Sequence, residues 1–372
     1  MKRSSIAAAL MAAAGAASAQ SSVTLFGIID ATVEHGSASG AGSTSSTQLT
    51  NSGYNSSRIG LRGTEDLGGG LAASFWLEGG LGNDDGTAGG AIATGNQGVT
   101  TSGGSLNFNR RSTVSLAGRW GELRLGRDYS PSYWNLTNFD PFGANGVGTT
   151  LGLAGAVAAG MTTAGTAGVQ MRASNSVGYF LPENLGGFYG QGMAYMGENS
   201  QDGSATQNDG RGLGLRLGYK RGPLDVAAAW QRTDFAQSAT TGDFRTWNVG
   251  AQWDLGLASL MAQYGEDDRE SLTELHGRQW LVGALVPVGA GELRASYSSY
   301  RIDDNNGTAD PHAQKLALGY VHNLSKRTAL YATVARVSNS NGSAIALGGA
   351  TYGTGVTNGS STGYDLGIRH SF

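Results

Sequence analysis

Apolar and polar side chains alternate with a period of two in short runs along most of this chain. Leu224, Val226, Ala228 and Trp230 alternate with Asp225, Ala227, Ala229 and Gln231. Trp247, Val249, Ala251 and Trp253 interleave with Thr246, Asn248, Gly250, Gln252 and Asp254. Leu293, Ala295 and Tyr297 interleave with Glu292, Arg294, Ser296 and Ser298, and the same pattern returns at Leu366 and Ile368 against Asp365 and Arg369. Successive side chains of a β-strand point to opposite faces, so each run predicts a strand with one apolar and one polar face.

The connections between runs also alternate. Tight turns are expected at 67–70, 118–121, 183–187, 220–223, 254–257, 287–291 and 323–327. Longer polar loops are expected at 36–54, 80–106, 130–171, 198–210, 235–242, 266–275, 303–310 and 338–361. Seven turns and eight loops predict about sixteen strands, the even number that single-chain bacterial barrels have. Pro131 and Pro141 fall in the third loop, and Pro182, Pro223, Pro287 and Pro311 fall at strand ends or turns. None interrupts the middle of a paired strand, where it would remove a ladder hydrogen bond.

Composition turns this pattern into a membrane assignment. The chain has 372 residues, including 62 Gly, 6 Pro and no Cys, so an all-α fold is disfavoured and disulfides and thiolate chemistry are excluded. No run of roughly 18 apolar residues exists that would cross a bilayer as a helix. In hydrocarbon every backbone N–H and C=O must be paired internally, and a closed barrel does this. Short turns on one side and long loops on the other match the periplasmic and extracellular ends of such barrels. Trp253, Tyr219, Tyr320 and Phe372 lie near the short-turn ends and fit an interfacial aromatic girdle. The fold class expected is all-β, a 16-stranded antiparallel transmembrane barrel.

The first residues read as an export signal. Lys2 and Arg3 precede an apolar stretch from Ile6 to Ala14, and Ala17-Ser18-Ala19 is a small-residue cleavage site. Residues 1–19 are expected to be removed, leaving 20–372 as the barrel. The net charge of −3 gives no reason to expect a nucleic-acid partner. No Ser–His or His–metal spacing stands out among the five histidines, so neither an enzyme nor a cofactor is expected.

Strand parity assigns the charged residues. Ile59 and Leu61 should face lipid, which turns Arg58 and Arg62 into the lumen. Arg111 is opposite in parity to Val114 and Leu116, and Arg124, Arg216 and Arg294 sit between leucine or alanine neighbours. A lipid-facing arginine at the midplane costs roughly 2–4 kcal/mol, which favours the inward placement. Asp84, Asp85, Glu266, Asp267, Asp268, Asp303 and Asp304 are expected in the outer loops, more as a solvated charged rim than as ligands for divalent cations near lipopolysaccharide, and the barrel's expected surroundings are outer-membrane lipid and lipopolysaccharide. Tyr129, Tyr133, Trp134 and Phe139 form an aromatic cluster, the one feature that suggests a substrate-specific pore with a solute-binding track.

Several segments resemble the general porins of Bordetella, Burkholderia and Comamonas relatives. They are Gln20-Ser21-Ser22-Val23-Thr24-Leu25-Phe26-Gly27, Ser57-Arg58-Ile59-Gly60-Leu61-Arg62-Gly63, Gly121-Glu122-Leu123-Arg124-Leu125-Gly126-Arg127-Asp128-Tyr129, Asn323-Leu324-Ser325-Lys326-Arg327-Thr328 and the ending Gly367-Ile368-Arg369-His370-Ser371-Phe372. The resemblance spans the mature chain. It implies an outer-membrane homotrimer that passes small ions and hydrophilic solutes by diffusion, and a final Phe372 read by the barrel-assembly machinery. It also implies a third loop, about 130–171, folded into the lumen, with Asp140-Pro141-Phe142-Gly143 similar to its tip. The resemblance further implies a constriction that pairs an arginine cluster on the wall with acidic groups on the third loop. By motif match Arg58 comes first for that cluster, then Arg111 and Arg172, with Asp128 and Asp140 as the acids. Residues 144–168 depart from the family pattern in carrying no charge, which leaves the arginines less opposed and points to a weak anion preference.

Overall fold

The computed structural model describes residues 22–40, 43–90, 92–94, 96, 98–101, 106–151, 171–303, 310–347 and 356–372. The export signal, Asp304 and the uncharged arm over 152–168 lie outside the described residues.

The first strands are β1 (Ser22–Ser39), β2 (Ser45–Asn51), β3 (Arg58–Gly68), β4 (Leu71–Gly82), β5 (Thr87–Ala88), β6 (Ile92–Thr94), β7 (Gly98–Thr101), β8 (Arg111–Gly118) and β9 (Gly121–Tyr129). A short helix α1 (Pro131–Asn138) follows. Then come β10 (Arg172–Phe180), β11 (Phe188–Tyr195), β12 (Gly212–Arg221), β13 (Leu224–Thr233), β14 (Asp243–Asp254) and β15 (Ser259–Glu270). The last are β16 (Leu275–Val288), β17 (Gly291–Asp303), β18 (His312–Asn323), β19 (Thr328–Ser340) and β20 (Ser360–Ser371). Sixteen of these, all but β2, β5, β6 and β7, pair antiparallel with their neighbours to form the wall. The ring closes where β1 pairs with β20, from Ile28 opposite Ser371 to Ser39 opposite Ser360.

All seven tight turns fall where the alternation places them. Between β12 and β13 only Gly222 and Pro223 remain outside the strands, and Gly222 has φ +58°, which glycine adopts without strain. The barrel is inside out relative to a soluble sandwich. Leu213, Leu215 and Leu217 of β12 are 54%, 58% and 57% exposed on the outer face of the isolated chain, while Gln231, Thr246 and Asn248 are buried on the inner face. Water outside would make that arrangement unfavourable; hydrocarbon outside makes it the expected one.

One loop expectation is corrected. The sixth loop is short, because β15 continues to Glu270 and β16 begins at Leu275. Glu266, Asp267 and Asp268 are therefore strand residues, and Asp267 is fully buried and accepts from the Tyr300 hydroxyl at 3.2 Å. Above the hydrocarbon both faces of a strand are polar, so the alternation that identifies strands lower down disappears there.

The third loop enters the lumen. Ser130 caps α1 by accepting from the Tyr133 N–H at 3.3 Å, and Pro131 occupies the first turn, where its missing N–H costs nothing. Polar side chains then bind the helix to the inner wall. Ser132 donates to Gln231 at 2.7 Å, and Asn135 donates to the Ala227 carbonyl at 2.9 Å. The chain crosses the lumen along inward glycines on alternate strands. Pro131 lies against Gly214, Phe139 against Gly250, Pro141 against Gly283 and Phe142 against Gly319. A Cβ on Gly250 would overlap the Phe139 ring. Gly250→Val is therefore expected to lift the loop from β14 and enlarge the single-channel conductance, with the barrel's strand content by circular dichroism unchanged. An unaltered conductance would show that Phe139 does not need that space.

Candidate permeation site

The arginines predicted by parity converge from neighbouring strands. On β3, Arg58 stands opposite Ile28 of β1 and Gly80 of β4, and Arg62 stands opposite Thr24 and Trp76. On β8, Arg111 stands opposite Glu78 of β4. On β9, Arg124 stands opposite Ser115. These registers put all four on the inner face, opposite in parity to exposed Leu61, Val114, Leu116, Leu123 and Leu125. Arg172 begins β10 opposite Tyr129 and donates to its hydroxyl at 3.3 Å.

A cavity of about 400 Å³ lies against this cluster, with Arg58, Arg111, Glu78, Trp76, Tyr129 and Trp134 among its lining residues. Glu78 is its buried hub. It accepts from Arg110 at 2.6 Å, from Arg58 at 3.4 Å and from the Trp76 indole at 3.0 Å. Arg110 also donates to the Tyr129 hydroxyl at 2.7 Å. Neither Glu78 nor Arg110 was among the residues singled out from sequence. The parity test that selected the arginines also selects Glu78, since Leu77 beside it faces out; Arg110 precedes its strand and carries no such signal.

The two acids carried over from the resemblance are both engaged. Asp128 is buried and lies 2.5 Å from Arg124 and 3.8 Å from Arg111. Asp140 is buried inside the third loop, where it accepts from the N–H groups of Phe142, Ala144 and Thr150. Burial raises its carboxyl above the usual range, opposed by those three N–H groups and by Lys315. Asp140 therefore staples the loop's own backbone and does not present an open charge to the lumen.

Aromatic rings carry the arginines. Arg62 lies 5.2 Å from the Phe26 ring and 5.1 Å from Trp76, and Arg111 lies 4.6 Å over Trp76. Arg172 lies 4.6 Å over Tyr129, Arg216 4.8 Å over Tyr189, and Arg294 4.5 Å over Tyr54. Stacking holds a planar guanidinium flat and leaves its N–H edges available. Arg216 donates one of those edges to Asn135 at 2.5 Å, and Arg294 donates to the Pro141 carbonyl at 3.1 Å, so both reach the third loop from the wall. Arg294 also pairs with Glu292 at 2.9 Å. Among the described residues Arg62, Arg172 and Arg216 make no ion pair.

The aromatic cluster has a packing role. Tyr129 and Tyr133 stack at 5.3 Å, Trp134 meets Tyr129 edge-on at 5.1 Å, and Phe139 is buried against the wall. These rings join α1 to the arginine cluster.

Comparison with known proteins agrees with this architecture. A family described as Gram-negative porin matches residues 7–342. Outer membrane porin protein 32 of Delftia acidovorans is 42% identical over the full length of both chains. An outer membrane porin protein of Bordetella pertussis is 29% identical, again over both full lengths. Among solved structures, the anion-selective porin from Comamonas acidovorans superimposes with a TM-score of 0.80 at 36% identity, covering 95% of this chain and all of that one. OmpT of Vibrio cholerae, solved in a trimer form, matches the fold with a TM-score of 0.64 at 15% identity, over 95% of this chain and 99% of that one.

Proposed function

The chain belongs to the Gram-negative porin family, and from that premise we propose that its channel favours anions. The protein is an outer-membrane porin, a water-filled barrel for passive diffusion of ions and small hydrophilic solutes. Porins are channels and not enzymes, and the reading offered here involves no bond chemistry.

The supporting observation is the imbalance at the wall. Glu78 and Asp128 are both buried and consumed by Arg58, Arg110, Arg111 and Arg124, whereas among the described residues Arg62 and Arg172 make no ion pair. The low-dielectric wall focuses their field into the passage. The anion selectivity of the Comamonas protein supports the same direction. Purified protein in planar bilayers under a potassium chloride gradient should give a reversal potential of the sign set by chloride. A potential set by potassium would overturn the proposal.

The reading extends to assembly as a homotrimer, with β1, β3 and β8 offering an aliphatic outer face at Val23, Leu25, Leu61, Val114 and Leu116. Phe372 closes the chain beside Gly27 of β1, where the barrel-assembly machinery would read it.

A further inference from the structure

Behind the third loop, the inner face of β14–β16 gathers buried polar atoms that find no partner among the described residues. Thr246 and Asn248 of β14, Asp267 of β15 and Gln279 of β16 are all buried, and each has one side-chain atom without a hydrogen bond: Oγ1, Oδ1, Oδ1 and Nε2 respectively. The register brings them together. Thr246 stands directly opposite Asp267, and Gly277 is the other neighbour of Asp267. One inward pair lower, Asn248 and Gln279 flank Gly265. A Cβ on Gly265 would come within 2.9 Å of the Asn248 Cβ and 3.1 Å of Gln279 Nε2, so the glycine lets both amides close over β15.

The neighbours fix which ends are left over. Asn248 donates through Nδ2 to the Ser132 carbonyl of α1 at 3.1 Å, so its unpartnered end is the oxygen. Asp267 accepts from the Tyr300 hydroxyl through Oδ2 at 3.2 Å, which leaves Oδ1. The Thr246 hydroxyl faces the same carboxylate without closing a hydrogen bond to Oδ1.

The carboxylate also lacks a counter-charge. Among the described residues no lysine or arginine pairs with Asp267; Arg269, on the same face, turns to Ser271 at 3.3 Å, and His276 turns to Asp268 at 2.5 Å. A buried carboxylate requires a cation or a proton. A proton on Oδ1 would serve the Thr246 hydroxyl and leave Asn248 Oδ1 unserved. A water would serve the oxygens and leave the charge. A small cation serves both. No cluster of three acids or histidines gathers among the described residues, so the charge to balance here is one.

We propose that a dehydrated monovalent cation, sodium or potassium, sits on this wall behind α1, held by Asp267 Oδ1, Thr246 Oγ1 and Asn248 Oδ1. Hard cations take oxygen ligands of these kinds. The Gln279 amide can turn end for end without change of shape and add a fourth oxygen. The ion bears on the constriction because α1 rests on the same wall. Asn248 holds the Ser132 carbonyl, and Gln263 donates to the Leu136 and Phe139 carbonyls at 3.5 Å. The channel's own ion preference plays no part here, so a reversal potential set by potassium would leave this inference standing.

Thermal denaturation of the detergent-purified porin tests it, in sodium, potassium and N-methylglucamine chloride at equal concentration. The wild type should melt at least about 3 °C higher in sodium or potassium chloride than with the bulky organic cation. Asp267→Asn keeps the shape and removes the charge. It should melt at one temperature in all three salts, and in N-methylglucamine no lower than the wild type. Thr246→Val removes a ligand and no charge; it should cut the difference by about half, and it carries the test if Asp267→Asn does not fold. Equal melting of the wild type in the three salts, as a bound water or a proton on Asp267 would give, overturns the inference. So does a difference that persists undiminished in the variants, which would be general screening. Chloride carries current in every case, so open-channel noise in the same salts reads the helix. It should rise for the wild type in N-methylglucamine, and steady noise there overturns the ion's hold on α1.

Discussion

Replacing Arg58 with glutamate should shift the channel's reversal potential toward potassium by at least a tenfold change in the anion-to-cation permeability ratio. Arg58 lines the constricted cavity beside Arg111 and shares Glu78 with Arg110. The exchange alters the local charge by two units. For an ion passing at about 6 Å in a medium of dielectric constant about 80, that changes the interaction by about 1.4 kcal/mol, about tenfold for each ion and in opposite senses for anion and cation, so a tenfold change in their ratio is the lower bound. A drier passage makes the change larger. The new carboxylate would also face Glu78, removing one of the two arginines that neutralise it. Arg58→Lys keeps the charge and should leave the reversal potential near that of the wild type. If Arg58→Glu leaves it there too, the selecting charge lies elsewhere, with Arg62 and Arg172 the next positions to change.

Lys315→Met should produce a larger and noisier conductance and a lower denaturation temperature. Lys315 projects from β18 into the seam between the wall and the third loop, where it is 2% exposed and donates to the Thr149 carbonyl at 2.7 Å. It faces Asp140 of the loop and Asp365 and Glu34 of the wall. Asp365 in turn accepts from the Val147 N–H at 2.8 Å, so loop and wall meet around one buried ammonium group. Removing one member of a buried charge set costs about 3–5 kcal/mol, because the remaining charges lose their compensation. The strand ladders do not depend on Lys315, so the loss falls first on the seat of the loop. Single-channel traces read the loop, and thermal denaturation in detergent reads the whole protein. Wild-type noise in the Met variant would show that Val147 and the glycine contacts hold the loop unaided.

Much of the fold was legible because lipid and water impose opposite demands on neighbouring residues. Leu213, Arg216 and Leu217 take their faces from parity alone, and turns such as Gly222-Pro223 announce themselves by residue type. Legibility ended where that contrast ended. Glu266, Asp267 and Asp268 looked like loop because the strand had risen above the hydrocarbon. Parity also gives a direction without a partner. It turned Arg124 inward and said nothing of Asp128 at 2.5 Å. Motif alone points to Asp140, and only the folded loop reveals that its oxygens face three N–H groups of its own backbone. Arg110 and Glu78 meet because β4 and β8 are adjacent, a fact about pairing that no single segment contains.

The seam between β1 and β20 makes the protein all-or-none in time as well as in space. The first strand finds its last partner only when the final residues have been synthesised, and the twelve positions from Ile28 to Ser39 wait for them. Any shorter chain would bring two raw edges to the bilayer, each exposed backbone group carrying a penalty of several kcal/mol in hydrocarbon. A chain clipped before β20 thus leaves β1 and β19 with bare edges and has no stable resting place in the membrane.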